Sequence, residues 1–430
     1  MPNSKPVSAY SAIDLVLGED GCAKDTGNIG ILCTSLEWSS FLNHGYKLKV
    51  SIDDPGYKVL KSLNVDSGYF RSAMACKFKA RCRLRAVRPV VENETPWIDF
   101  FVTSLVDTAN SSERAAFVFT AIDQPSWYLC ANPASGKAYR GSISDVVRQV
   151  ATEFAPGIVV NVDDTIDNRQ NVWYLNRQSP KNLIMRLIDF GSSVSSIKGR
   201  VVVSSGSPNI LNVVDQSKIK STDRGFFCWS SRDGKNKTPI FSYDAVKKNS
   251  WSRLISEVYT SGISITTGQF LDQVTDSEGM YTKVDDKMTS TKINVKVPID
   301  RAFSKPNESD PPEIGRTYIE PVTPIYSAGD LGLKYRDYIS GKGRQMYLDA
   351  QYDVNKLIIH TVGQGGFFDG TGLGADTVTI EFIDAAGLPF YIHGQWIVMG
   401  FRHSYNRGQW RTSLYLSRLS YNSAAKIVGQ

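Results

Sequence analysis

One short segment places basic and apolar residues at strictly alternating positions. From residue 77 to residue 86, every odd position is lysine or arginine and every even position is apolar. Successive side chains of a β-strand point to opposite faces, so one face would be buried and the other positively charged. Such a face suits an acidic partner or a phosphate backbone, or it is a solvated face neutralised by Asp and Glu on neighbouring strands. The candidate contact residues are Lys77, Lys79, Arg81, Arg83 and Arg85.

A glycine-rich run near the C-terminus matches the spacing of a dinucleotide-binding loop. Residues 370–375 fit G-x-G-x-x-[GA]. A dinucleotide site needs a helix immediately afterwards, because the helix N-terminus holds the pyrophosphate. Residues 376–382 instead alternate like a strand. The sequence therefore predicts a loop between strands, and no cofactor.

Other residues that could do chemistry are scattered. Neither Asp163–Asp164 nor Asp285–Asp286 makes an acid/base pair, because neighbours on a strand point apart. No G-x-S-x-G, P-loop or H-E-x-x-H motif is present, and no metal site or catalytic residue is predicted. No cysteine pair has the C-x-x-C spacing, so we interpret the cysteines as small buried residues in a reducing cytosol. The histidines are His44, His360, His393 and His403. The cysteines are Cys22, Cys33, Cys76, Cys82, Cys130 and Cys228.

Size and composition are those of a folded protein with more than one domain. The chain has 430 residues, 41% of them hydrophobic, and a net charge of +6 that does not by itself indicate nucleic acid. The first residues lack the apolar core of a signal peptide, and no stretch approaches eighteen apolar residues. We expect synthesis in a cytosol and no membrane insertion.

Two amphipathic helices are predicted in the middle of the chain. Apolar residues recur with a helical period from Ile143 to Phe154, and Ser142 with Asp145 forms a capping box. A second helix begins after Ser179, with proline at its first position, and is expected to end at Gly191.

The flanking regions consist of β-branched and aromatic runs separated by turns. The fold class predicted is α+β and multidomain, with two β-barrel-like domains at the ends and a helix-containing middle domain. A proline-rich connector is expected from Pro298 to Pro324, followed by a helix from Asp330 to Tyr352. The predicted domains are 1–128, 129–205, 206–312 (a β-rich elaboration with the connector) and 313–430.

A β-hairpin is predicted near the C-terminus, and each of its two strands has a tryptophan near its beginning. Its strands carry Trp396 and Trp410, which we add to the candidate partner interface. Trp396-Ile397 echoes Trp97-Ile98, because each opens a strand–turn–strand unit. If the echo is real, the chain contains two related barrels.

Three stretches in this order resemble the tail-hub (baseplate hub) proteins of tailed bacteriophages. That family is related to phage late control proteins and to the hub portion of type VI secretion spike proteins. The stretches are 144–151 with the strand at 158–162, 176–191, and 396–404 with 412–418. The order of the elements carries the resemblance, and residues 206–312 match nothing in it.

The resemblance implies a structural protein without enzymatic activity. Hubs of this family are trimers in which each chain contributes two barrels to a pseudo-sixfold ring. The ring adapts a hexameric tail tube to a trimeric central spike, within the baseplate of a virion assembled in the host cytoplasm. Tape measure and baseplate wedge proteins would be further partners, and nucleic acid would be met only as the transiting genome.

Two other functions remain open from the sequence. A virion peptidoglycan hydrolase or glycosidase would need a cleft with two carboxylates about 5–10 Å apart. A nucleic-acid-binding module would rely on the basic strand, and its affinity would fall steeply with salt.

Overall fold

Most of the regular structure belongs to one twelve-stranded sheet, which consists of two six-stranded barrel units, and to a helical unit that lies between them in sequence. The structure, a computed structural model, describes residues 11–19, 26–62, 78–86, 94–110, 114–131, 137–162, 171–175, 178–194, 201–206, 210–215, 222–229, 238–247, 257–263, 270–277, 282–284, 287–289, 293–296, 317–321, 355–365, 373–374, 376–382 and 392–417.

The N-terminal strands form a barrel-like unit, the N-terminal barrel. Its strands are β1 (Ser11–Glu19), β2 (Cys33–Phe41), β3 (Lys47–Pro55), β4 (Phe78–Ala86), β5 (Ile98–Asn110) and β6 (Arg114–Asp123), with a short helix α1 (Lys58–Ser62) after β3. They follow one another in the order β1-β4-β5-β6-β3-β2, and the end strands β1 and β2 do not pair with each other in the described part of the chain. The segment before β2 covers the outer edge of β1. There the backbone N–H groups of Thr26 and Ile29 donate to the carbonyls of Leu17 and Leu15, at 2.9 and 2.8 Å.

The middle unit packs helices against small sheets around a core of its own. Its elements are α2 (Gln124–Ala131), β7 (Lys137–Gly141), α3 (Ile143–Phe154), β8 (Val159–Val162), β9 (Asn171–Leu175), α4 (Pro180–Val194), β10 (Val201–Gly206) and β11 (Ile210–Asp215). Both predicted helices are confirmed, and so is the capping box of Ser142 and Asp145. The expected end at Gly191 is wrong, because α4 continues to Val194. One helical glycine costs only about 1 kcal/mol, less than a packed helix face provides.

The remaining strands form a closed C-terminal barrel and two smaller sheets. They are β12 (Asp223–Cys228), β13 (Thr238–Lys247), β14 (Glu257–Ile263), β15 (Phe270–Ser277), β16 (Thr282–Val284), β17 (Lys287–Thr289), β18 (Ile293–Lys296), β19 (Thr317–Pro321), β20 (Asn355–Val362), β21 (Thr377–Glu381), β22 (Gly394–Asn406) and β23 (Gln409–Ser417). The barrel runs β22-β21-β12-β13-β20-β23 and closes through β22–β23 pairing. The smaller sheets are β18-β15-β14-β19 and β16-β17. Across the described residues, no helix has the length and apolar character needed to span a membrane.

The region 206–330 differs in part from the expectation. Within the predicted extended connector, Thr317–Pro321 is a strand that pairs in parallel with β14. Strands β12 and β13, from the 206–312 segment, complete the C-terminal barrel. The domain limits themselves stay predictions, and the helix expected from Asp330 to Tyr352 lies outside the described residues.

The two barrels have the same strand order. We number the six strands of each barrel from first to sixth along the chain. In both barrels the spatial order of neighbouring strands is then first, fourth, fifth, sixth, third and second. The difference is the first strand. It is antiparallel to its fourth-strand neighbour in the N-terminal barrel but parallel to it in the C-terminal barrel. The two barrels are therefore versions of one architecture.

An antiparallel junction between β2 and β22 joins the barrels into a continuous sheet. Ser35–Phe41 pairs with Gly400–Asn406, and side chains of both barrels share one apolar core. A Cβ atom at Gly400 would meet the ring of Phe41, so only glycine lets the two strands approach this closely. The junction thus behaves as part of the fold rather than as a flexible link.

Candidate interaction surface

The basic strand is β4, and the predicted alternation is confirmed there. Its inward residues are fully or almost fully buried, and its basic residues lie on the outer face. The inward residues are Phe78, Ala80, Cys82 and Leu84. The outward ones are Lys79, Arg81, Arg83 and Arg85, while Lys77 lies outside the described residues.

A buried carboxylate neutralises the end of this row. Asp14 on β1 accepts from Arg83 at 2.8 Å and forms an ion pair with Arg85 at 3.2 Å. Only 6% of the Asp14 side chain is exposed. Glu94 approaches Arg83 at 3.3 Å from the other side. Arg83 and Arg85 are therefore held by acids on neighbouring segments.

Lys79 and Arg81 lie over aromatic rings, and Arg83 also lies 4.9 Å from the Trp97 ring centre. Arg81 pairs with Asp99 at 3.4 Å, and its guanidinium lies 5.3 Å from the Trp97 ring centre. The ammonium of Lys79 lies 4.9 Å from the Phe101 ring centre. These rings stack against cations, whereas a single-strand nucleic-acid groove needs rings that are open to bases. The geometry matches the interpretation of a face neutralised by its neighbours, and contact with a partner stays a prediction.

We expect Asp14→Asn to lower the free energy of unfolding by about 2 kcal/mol, because two arginines lose a buried counter-charge. The matched control is Asp99→Asn on the same face. Its carboxylate is 55% exposed and pairs with one arginine, so less than about 1 kcal/mol is expected. Urea denaturation of both variants measures the difference. Equal losses in the two variants would show that burial does not increase the contribution of Asp14 to the free energy of unfolding.

Trp396 and Trp410 lie inside the C-terminal barrel. Both side chains are buried, so they contribute to the core and are absent from the surface of this chain. The indole N–H of Trp396 donates to the carbonyl of Ile392 at 2.8 Å. That of Trp410 donates to Nδ1 of His403 at 3.2 Å. Of the predicted contact residues, those on β4 are the ones that reach the surface.

Histidines and cysteines are dispersed in the described part of the chain. No three His, Cys, Asp or Glu side chains lie close enough there to hold a metal ion. The ring nitrogens of His360 form hydrogen bonds with Ser413 at 2.8 Å and with Asp244 at 3.2 Å. The side chain therefore links its own strand to the two neighbouring strands of the sheet. Burial raises the pKa of the Cys33 thiol to about 12. Cys130 is exposed, so the expectation of buried cysteines fails at that position.

A shallow cavity lies between the β2–β3 turn and α4. Its lining combines histidine, lysine and small or apolar residues, and none of the lining residues is Asp or Glu. The lining residues are Asn43, His44, Gly45, Pro125, Ser126, Leu129, Lys181, Ile184, Met185 and Leu211. A glycosidase cleft requires two facing carboxylates, and this cavity does not provide them.

Sequence reasoning missed a set of exposed apolar side chains beside the barrel strands. Val106 on β5 is 57% exposed, Phe241 on β13 is 53% exposed, and Trp229 after β12 is 40% exposed. Trp229 contacts Tyr243 and Phe382, with ring centres 5.2 Å apart in each pair. Phe241 sits at a β-bulge, where the alternation that identifies surface positions breaks. Trp229, Tyr243 and Phe382 thus form one partly exposed ring cluster, and a contiguous exposed apolar patch indicates a contact surface.

Comparison with known structures identifies the fold. The chain matches a 43 kDa tail protein of prophage MuSo2 from Shewanella oneidensis with a TM-score of 0.55. The match has 11% identity and covers 96% of this chain and 99% of that one. The chain has the fold of a bacteriophage tail protein. No protein-family sequence model matches it, and no curated protein sequence does.

Two further structures share this tail-protein fold. A tail protein from Neisseria meningitidis MC58 matches with a TM-score of 0.53 and 13% identity, over 96% of this chain and 99% of that one. A chain of a Francisella PdpA–VgrG complex matches with a TM-score of 0.50 and 8% identity. That match covers 97% of this chain and 54% of the other, so the tail-protein fold corresponds to about half of the longer protein.

Proposed function

We propose that the protein is a structural hub of a phage tail. Three copies form a pseudo-sixfold ring that adapts a hexameric tail tube to a trimeric central spike. The observation that carries the proposal is the presence of two barrels with one strand order in a single chain. Three such chains present six similar barrels to a sixfold partner while keeping threefold symmetry for the spike.

Three further observations support a structural role. The likeness to tail proteins extends over 99% of the length of each of two of them. The cavity beside α4 lacks carboxylates, which disfavours the glycosidase alternative. Asp14, Glu94 and Asp99 offset the basic strand, which disfavours a nucleic-acid-binding module. The protein would act in the virion tail after assembly in the host cytoplasm, with tape measure and wedge proteins as further neighbours.

The purified chain should assemble as a trimer and retain the tail-tube protein in a pull-down. Native mass spectrometry of the chain, alone and mixed with the spike protein, measures the first expectation. A mass of one copy under both conditions contradicts the proposal. Lysis of purified cell walls by this chain alone would contradict it in favour of a hydrolase.

A further inference from the structure

The two barrels match in strand register as well as in strand order. In the N-terminal barrel, β5 pairs with β4 over Ile98–Phe101. In the C-terminal barrel, β22 pairs with β21 over Gly394–Ile397. Soon after these segments each strand has a bulge against the next strand, at Thr103 in β5 and at Met399 in β22. Bulges are specific features of a strand, so their coincidence aligns β5 with β22 residue by residue as far as Asp107, after which β5 has a second bulge that β22 lacks.

Strands β2 and β13 align in the same way. Each has a bulge near its beginning, at Thr34 in β2 and at Phe241 in β13. Counted from these bulges, Ser39 of β2 and Val246 of β13 occupy matching positions. Their partners on the next strand, Lys47 and Lys356, match in turn. The order and the register together define which residues of one barrel correspond to which residues of the other.

This correspondence identifies two open edges, that is, edges that have no strand partner within the described part of the chain. Beyond its bulge, β22 pairs with β2 and so forms the junction inside the chain. The matching edge of β5, Ser104–Asn110, has no strand partner among the described residues. The edge of β13 that matches the paired edge of β2, Ser242–Lys247, likewise has none in the described part of the chain. Each open edge is the counterpart of one half of an existing junction.

We infer that β13 of one copy pairs antiparallel with β5 of the next copy, and that this contact repeats the β2–β22 junction between chains. The inference rests on the proposed hub function and specifies its subunit interface. Each chain carries one edge of each kind, so the contact is head-to-tail and closes a ring without leaving an edge open. Inside the chain Ser39 pairs with Arg402, and the corresponding pair between chains is Val246 with Val106.

Two of the exposed apolar side chains lie on or directly beside these edges. Val106 on β5 and Phe241 on β13 are both more than half exposed, and Trp229 contacts Tyr243 beside the β13 edge. Pairing of the two strands would remove these side chains from water together with the unpaired backbone groups. A second copy of the chain can both cover the apolar side chains and pair the backbone groups. It supplies the complementary edge in the register that is already present at β2–β22.

Disulfide trapping tests the register. Directly opposed residues of antiparallel strands have Cβ atoms close enough for a disulfide after small adjustments. Oxidation of the doubly substituted Val106→Cys, Val246→Cys protein should shift most of it to covalent species of two and three copies. The wild-type protein and each single variant serve as controls, because Cys130 is exposed and sets the background.

The outcomes separate this inference from the proposed function. A native trimer that gives no more covalent product than the single variants overturns the β5–β13 contact and leaves the hub proposal standing. A chain that stays monomeric at every concentration and with the spike overturns both. Covalent species that require both cysteines and disappear on reduction establish the contact.

Discussion

Trp38→Ala is expected to lower the stability of both barrels by about 3–5 kcal/mol, the usual cost of removing a large buried aromatic side chain. Trp38 is fully buried on β2, the strand that belongs to the N-terminal barrel and also forms the junction. Its ring packs edge-on against Phe100 at 5.4 Å and against His403 of the other barrel at 6.3 Å. Because the side chain belongs to the shared core, the cavity left behind would loosen both barrels together.

Trp229→Ala is the matched control for this prediction. Trp229 is the same residue type but is 40% exposed, so the loss should be clearly smaller. Trp38→Phe keeps part of the ring contacts and should fall between the two. Urea denaturation followed by tryptophan fluorescence and by circular dichroism measures the three values. Trp38→Ala within about 1 kcal/mol of the wild-type protein would contradict the assignment of Trp38 to the shared core.

Local patterns in the sequence were sufficient for the individual elements. The alternation in β4 and the helical period of α3 are periodicities of two and 3.6 residues, and each is set by the geometry of its own element. The capping box of Ser142 and Asp145 is also local, since it involves only the first turn of a helix. The side of the element on which each of these side chains lies depends only on residues a few positions away. The whole fold therefore did not have to be known.

Strand partners depend on the whole chain, and here the sequence was less informative. The resemblance of Trp97-Ile98 to Trp396-Ile397 correctly suggested two related barrels. However, the register matches Trp396 to Phe100, three positions beyond Trp97, so the tryptophans themselves do not correspond. The residues 206–312 matched no pattern, yet they contribute β12 and β13 to the C-terminal barrel. Pairing between strands this distant in sequence leaves no local periodicity.

The prediction that Trp396 and Trp410 lie on a partner surface also depended on knowing which strands are neighbours. Along most of β22, residues on both faces are buried or half-buried, because the strand contacts its own barrel and the junction with β2. A strand covered on both sides does not show the alternation that separates core from surface. Only the sheet topology shows that both tryptophans lie inward, while Val106 lies on an edge without a strand partner among the described residues and Phe241 lies at a bulge beside another.

His403 is expected to make the protein sensitive to acid. Burial lowers the pKa of its imidazole from 6.5 to about 3. Nδ1 accepts from the Trp410 indole, and the Thr412 hydroxyl lies 2.9 Å from it, so this nitrogen is the acceptor and a proton there would displace a donor. Between pH 6.5 and 3 the unfolded chain binds a proton that the folded chain does not. The free energy of unfolding therefore falls as the pH falls through this range, by up to about 4–5 kcal/mol.

His403→Gln and His403→Phe test this expectation by removing the titrating group in two different ways. Both variants should be less stable than the wild-type protein at pH 7, because the buried contacts change. Both should nevertheless lose less further stability between pH 6.5 and pH 4, since no imidazole remains to take up a proton on unfolding. The comparison uses the slope of the free energy of unfolding against pH, so the initial loss cancels. Wild-type slopes in both variants would assign the acid sensitivity to carboxylates instead, and His403 would then have no part in it.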